Sequence, residues 1–226
     1  ARGLLAVGVG KGAHVGILHP NGSAFVVAWL AATRIGAVAA PLSTFSKSAE
    51  LGVLLRNADA ALLLATSSYR SHDYVAALRE VVPELDLAAA PPLFAPSVPT
   101  LRRIAFAADG AGAVDTASHG ATGDPCTSDR GTVVPDAWSL ASLVAGGASI
   151  APALLAAVED AVTPGDRLTI VHTSGSTGDP KGVIHAHGAL IRHLDHLNRI
   201  RRYTRDEVLF SNSPFFWIGG LAYSLL

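Results

Sequence analysis

The sequence predicts an α/β fold in which parallel-rich sheets are layered between flanking helices. Three observations predict it. Short apolar runs with almost no polar interruption recur at Val15-Gly16-Ile17-Leu18, Val38-Ala39-Ala40-Pro41-Leu42, Ala60 to Ala65 and Thr169-Ile170-Val171, as strands buried on both faces require. Segments with helical spacing of apolar residues separate the first three of these runs. Each strand, helix, strand succession is long enough for a parallel crossover, which a tight hairpin is not.

Taken in order, residues 3 to 11 read as a short helix and its exit through Leu4, Leu5, Val7 and Val9. His19-Pro20-Asn21-Gly22 is a turn, and Asn21 or Ser23 is placed to cap the helix after it. In that helix Phe25, Val26, Trp29, Leu30 and Thr33 share one face. A second helix is expected from Glu50 to Asn57, with Leu51, Leu54 and Leu55 inward, and a third from Tyr69 to Val82, striped by Tyr74, Val75, Leu78 and Val82. Beyond it the periodicity fades. Residues 86–136 are rich in Ala, Pro, Gly, Ser and Asp, and only Leu101 to Ala107 suggests a strand.

Ala108 to Pro135 is expected as a surface excursion, because few large apolar residues anchor it. Its Asp115, His119, Asp124, Cys126 and Asp129 are metal-ligand types, but their irregular spacing defines no site. The uncharged span from Ala137 to Val158 approaches the length of a membrane helix, yet Gly146-Gly147 and Pro152 divide it into two short helices around a turn. Helical spacing returns at Ala153 to Val162, and Pro164-Gly165-Asp166 turns the chain into the next strand. Three portions result: residues 8–85, a variable segment 86–136, and residues 137–226.

The last portion carries the chemistry. The strand Thr169-Ile170-Val171-His172-Thr173 runs into Ser174-Gly175-Ser176-Thr177-Gly178-Asp179-Pro180-Lys181-Gly182-Val183. Glycines let a backbone approach an anion and aim its N–H groups at it. The hydroxyls of Thr173, Ser174, Ser176 and Thr177 add donors, and Lys181 adds a mobile positive charge. The run lacks Gly-Lys-Ser/Thr, Gly-x-Gly-x-x-Gly and Gly-x-Ser-x-Gly, which excludes the common phosphate loop, the dinucleotide fingerprint and the nucleophile elbow. After it, His187 to Arg199 reads as an amphipathic helix with Leu190, Ile191, Leu194 and Leu197 on one side. His185, His187, His193 and His196 are joined by no carboxylate or cysteine in a ligand pattern, so solvated or core roles are expected. Arg199, Arg201, Arg202 and Arg205 read as a solvated helix end.

Composition narrows the partners. A net charge of −1 gives no electrostatic reason to expect nucleic acid or an anionic membrane. The single cysteine, Cys126, cannot form an internal disulfide and fits a reducing cytoplasm. There is no methionine, the chain opens at Ala1-Arg2-Gly3, and it closes in an apolar run at Gly220 to Leu226. An internal fragment of a longer protein is expected.

The loop from Thr173 to Val183 resembles, nearly residue for residue, the signature of the adenylate-forming superfamily: acyl-CoA synthetases, luciferases and the adenylation domains of peptide synthetases. His172 departs from the tyrosine usual there. Residues 8–45 resemble the superfamily's early core, with its Asn-bearing turn and Gly-Ala-Val-x-x-Pro-Leu strand. Ser213-Pro214-Phe215-Phe216-Trp217-Ile218-Gly219-Gly220 resembles its acyl-pocket segment, with Trp217 where histidine is frequent.

The resemblance implies part of the large N-terminal domain of a ligase that joins a small carboxylic acid to ATP, releases pyrophosphate, and passes the acyl group to coenzyme A with Mg²⁺ assistance. It implies Thr173, Ser174, Gly175, Ser176, Thr177, Gly178, Lys181 and Gly182 for the phosphates, with Lys181 in the catalytic role. Phe216, Trp217, Gly219 and Gly220 fall to the acid, an apolar one by their character. In the superfamily the catalytic lysine of a C-terminal lid domain lies downstream, so this chain alone is expected to be inactive. An amino-acid-adenylating domain and a non-catalytic ATP-binding regulator are the alternative expectations.

Overall fold

The computed structural model describes residues 1–107, 133–173 and 180–226. Residues 108–132 of the expected excursion, with its metal-ligand types, lie outside the described residues, as do Ser174 to Asp179 of the loop. The described elements are α1 (Arg2–Ala6), β1 (His14–Leu18), α2 (Ser23–Thr33), β2 (Val38–Pro41), α3 (Ser48–Ala58), β3 (Leu62–Thr66), a small hairpin of β4 (Ser68–Tyr69) and β5 (His72–Asp73), and α4 (Tyr74–Val81). Then follow β6 (Arg103–Ala107), α5 (Leu140–Gly146), α6 (Pro152–Asp160), β7 (Arg167–Thr173), β8 (Lys181–Ala186) and α7 (His187–Arg201).

Six strands form one sheet in the order β6-β3-β1-β2-β7-β8. Every pairing is parallel except the last, where β7 and β8 make an antiparallel hairpin. The central strands carry the uniform apolar runs because helices cover both sides of the sheet. On one face Leu51, Leu54 and Leu55 of α3 pack with Tyr74, Val75 and Leu78 of α4. On the other, Phe25 and Trp29 of α2, Leu143 of α5, and Leu190 and Leu194 of α7 share a core with Val15 and Ile17. Between β2 and β7 the Thr169 hydroxyl donates to the Ala39 carbonyl at 2.7 Å, a buried cross-strand tie beside the single backbone register pair Ala39 with Thr169.

The structure revises several local expectations. The helix expected from Tyr69 begins at Tyr74, where Asp73 caps it by accepting from the Ala76 N–H at 2.9 Å; the residues before it close the β4–β5 hairpin through Arg70 at φ 55°. Leu30 and Ile191 were placed on inward faces but are 49% and 61% exposed, so α2 meets the core through Phe25, Ala28, Trp29 and Ala32 instead. Val183 and Ile184 lie on the edge strand of the described sheet and are exposed. Residues 86–101, within the variable segment, contribute to the core: Leu87, Leu93, Val98 and Leu101 are buried, and the Trp138 indole donates to the Ala89 carbonyl at 2.9 Å. Their turns break the periodicity by which a buried segment is recognised.

Leu140–Ser149 and Pro152–Asp160 form two short helical pieces bent by 98°, with the break just before Pro152 rather than at Gly146-Gly147, and no single helix among the described residues is long and apolar enough to cross a membrane.

At the end of β1, His19 is 1% exposed and neither ring nitrogen has a partner among the described residues. Burial pushes its pKa from 6.5 down to about 4. The unfolded chain therefore takes up the proton first, and folding loses stability as pH falls from 6.5 towards 4, by about 3 kcal/mol in full. His19→Leu is expected to remove that loss. The thermal midpoint should fall less between pH 7 and pH 5 in the variant than in the native protein; equal falls would show that His19 does not titrate in this window.

Candidate active site

The site is assembled where parallel strands end, the side of such sheets on which a crevice opens. β2 stops at Pro41 and β7 at Thr173, and the C-terminal ends of both strands line a cavity of about 480 Å³. Its wall also includes Phe45, Glu50, His172, Pro180, Phe216 and Trp217. A larger cavity of about 570 Å³ lies between α2 and α7, but neither Thr173 nor Pro180 lines it.

The turn before β7 launches the strand at a fixed angle. Asp166 accepts from the Thr163 N–H at 2.6 Å and pairs with Lys11 at 2.7 Å, and these contacts, the Lys11 bond foremost, hold its carboxyl down to about 2. The same turn caps α7, because the Asp166 and Pro164 carbonyls accept from the N–H groups of His187 and Gly188. So one turn orients both the strand that enters the loop and the helix that leaves it.

Thr173 and Lys181 face each other in register across the β7–β8 hairpin and close the loop between them. The Thr173 hydroxyl lies 3.4 Å from the Lys181 carbonyl. Lys181 is exposed at the loop's exit, and Asn57 of α3 fixes that exit by donating to the Pro180 carbonyl at 3.0 Å. Gly182 pairs with His172, and a Cβ there would stand 2.7 Å from Ile170 Cγ2, which is why this strand position carries no side chain. Ser174, Gly175, Ser176, Thr177 and Gly178 lie outside the described residues.

His172 half-buries its ring in the cavity wall, and burial lowers its pKa while the Pro41 backbone opposes in part. Neither ring nitrogen makes a well-formed hydrogen bond among the described residues. It therefore stands as an uncharged polar group at neutral pH.

The second segment meets the first across this cavity. Phe216 is 4% exposed and Trp217 is 50% exposed. With Phe45 they form an edge-on aromatic cluster, with centroids 5.3 Å apart for Phe45–Phe216, 6.3 Å for Phe45–Trp217 and 5.3 Å for Phe216–Trp217. Gly219 and Gly220 do not line the cavity. Gly220 is buried beneath the preceding backbone, where a Cβ would come within 2.0 Å of the Pro214 carbonyl oxygen, so its part is to let the segment fold back on itself. Sequence reasoning missed Phe45, Asn57 and the reach of Asn21; an aromatic in the Ser-Thr-rich loop after β2 was the available signal for Phe45.

Thr173 and Pro180, which flank the glycine and hydroxyl run, thus line an aromatic cavity, and the exposed Lys181 follows Pro180 directly. The sequence profile of the AMP-binding enzyme family spans residues 1–226. This chain belongs to the AMP-binding enzyme family. Over 229 residues, covering 100% of this chain and 33% of the relative, it is 27% identical to acyl-CoA ligase SID4 of Ajellomyces capsulatus. Over 184 residues, 81% of this chain and 26% of the relative, it is 28% identical to long-chain-fatty-acid–CoA ligase FadD13 of Mycobacterium tuberculosis. The chain thus spans about a third or less of these relatives' lengths. The crystal structure of ATP-bound MatB from Rhodopseudomonas palustris superposes with a TM-score of 0.62 at 21% identity, over 98% of this chain and 34% of that one, a likeness of fold.

Proposed function

We propose that the protein containing this chain is an acid–thiol ligase: a carboxylate attacks the α-phosphorus of ATP, pyrophosphate leaves, and coenzyme A takes the acyl group from the adenylate. The observation that carries this reading is the pairing of Thr173 with Lys181 at the base of the Gly- and hydroxyl-rich loop, whose flanking residues Thr173 and Pro180 line the aromatic cavity. The relatives named as CoA ligases support coenzyme A as the thiol.

The chemistry asks for charge handling. The acid is already ionised at neutral pH and needs no general base. Negative charge grows on the departing pyrophosphate, and preoriented donors with a nearby cation stabilise it. Thr173 and Lys181 stand at the two stems of the loop that would hold the β- and γ-phosphates, and Asn57 keeps the exit stem in place. Phe45, Phe216 and Trp217 would hold the apolar part of the acid and exclude water from its reacting end. Among the described residues no three His, Cys, Asp or Glu side chains converge.

The aromatic wall favours a fatty or other apolar acid. Glu50 also lines the cavity, and this carboxylate favours a second reading, in which an ammonium-bearing acid is activated. Trapping the adenylate with hydroxylamine in the full-length protein, with apolar and amino acids in parallel, decides between them: hydroxamates from apolar acids support the first, from amino acids the second, and none from either overturns both. Trp217→Ala is expected to shift preference toward bulkier acids by about tenfold, since a few methylenes' worth of pocket space discriminates on that scale. Competition between a short and a long acid for the trapped product measures this.

A further inference from the structure

Asn21 sits where a helix cap was expected, yet no side chain caps α2. Gly22 follows it at φ 153°, a conformation that favours glycine, and becomes the residue before the helix instead. The Asn21 carboxamide reaches across the fold. Its Nδ2 donates to the Ser213 carbonyl at 3.0 Å, and its Oδ1 accepts from the Phe215 N–H at 2.7 Å. Donor and acceptor thus read residues 213 and 215 of one backbone, as a neighbouring strand would. Pro214, between them, has no N–H to offer.

The segment so gripped is the one that builds the aromatic wall. Phe215 packs its ring on Phe25, one helical turn beyond Asn21, at 5.4 Å between centroids. Phe216 and Trp217 then enter the cavity beside Phe45. Both bonds are exposed, which makes their loss a small cost to the core and a direct change to where the wall stands.

We propose that Asn21 is a positioning residue for the acid: its carboxamide fixes the Ser213–Phe215 backbone and thereby the width of the pocket bounded by Phe216 and Trp217. This rests on the ligase reading above. Asn21→Ala removes both bonds. Asn21→Asp keeps an acceptor for Phe215 but sets a carboxylate against the Ser213 carbonyl.

The test is steady-state pyrophosphate exchange by the full-length protein, varying acid and ATP separately over acids of graded size. Losing two hydrogen bonds of ordinary strength should raise the KM for the preferred acid about tenfold in Asn21→Ala. Asn21→Asp should do at least as much, and in both the ratio between preferred and non-preferred acids should fall while the KM for ATP stays within about twofold. Native acid KM and size preference in both variants would overturn the assignment, and so would a matched rise of both KM values with a lowered thermal midpoint, the mark of a merely structural residue. A native protein that exchanges with no acid would instead overturn the ligase reading beneath it.

Discussion

Replacing Lys181 with alanine is expected to reduce acid-dependent AMP formation by the full-length protein about 10²- to 10³-fold, the scale on which one preoriented charge-stabilising group acts in comparable sites. Lys181 is the first residue of β8, in register with Thr173, and Asn57 holds the carbonyl immediately before it. Its position is therefore set by three elements, β7, β8 and α3, rather than by a free loop. If the ammonium acts on the leaving pyrophosphate, kcat falls and the KM for ATP moves little, because the interaction strengthens only as the bond breaks. If it only binds ground-state ATP, KM rises at constant kcat. Lys181→Arg keeps the charge in a planar, bulkier group and should recover only part of the rate. Unchanged kinetics in Lys181→Ala would remove this residue from the mechanism.

Gly220→Ala is expected to have the second largest effect, by an unrelated route. A Cβ at this position would lie 2.0 Å from the Pro214 carbonyl oxygen and 2.8 Å from that of Ser213, and both are main-chain atoms that cannot rotate away. Overpacking of this kind costs about 1–3 kcal/mol, occasionally more. Here relief requires moving the backbone that Asn21 holds and that carries Phe216 and Trp217. The thermal midpoint should fall, and the acid KM should rise more than tenfold. Gly219→Ala is the control, because its Cβ would meet only the Ser213 hydroxyl at 3.2 Å, a side chain free to turn. Equal tolerance of the two substitutions would mean that the segment does not fold back as described.

Much of the fold was legible because its signals are local. The apolar runs at 15–18, 38–42 and 60–65 became adjacent parallel strands, and the pattern of Leu51, Leu54 and Leu55 became the buried face of α3. The loop was legible through its composition and its family likeness. What escaped depends on partners far along the chain. Asn21 read as a cap because local rules favour that use, whereas its partners lie 192 and 194 residues away. Asn57 looked like a helix end, and its partner Pro180 is 123 residues distant. Leu30 and Ile191 obey helical spacing but meet a cavity rather than the core, since spacing specifies a face and not what covers it.

Carboxylate-dependent exchange of labelled pyrophosphate into ATP by the full-length protein tests the central claim most directly, because it reads the reversible first step without the thiol. Exchange that appears with one class of acid, and that Lys181→Ala reduces about 10²- to 10³-fold, is the predicted result. Absence of exchange with fatty, aromatic and amino acids alike, in a protein that still binds ATP, would contradict it.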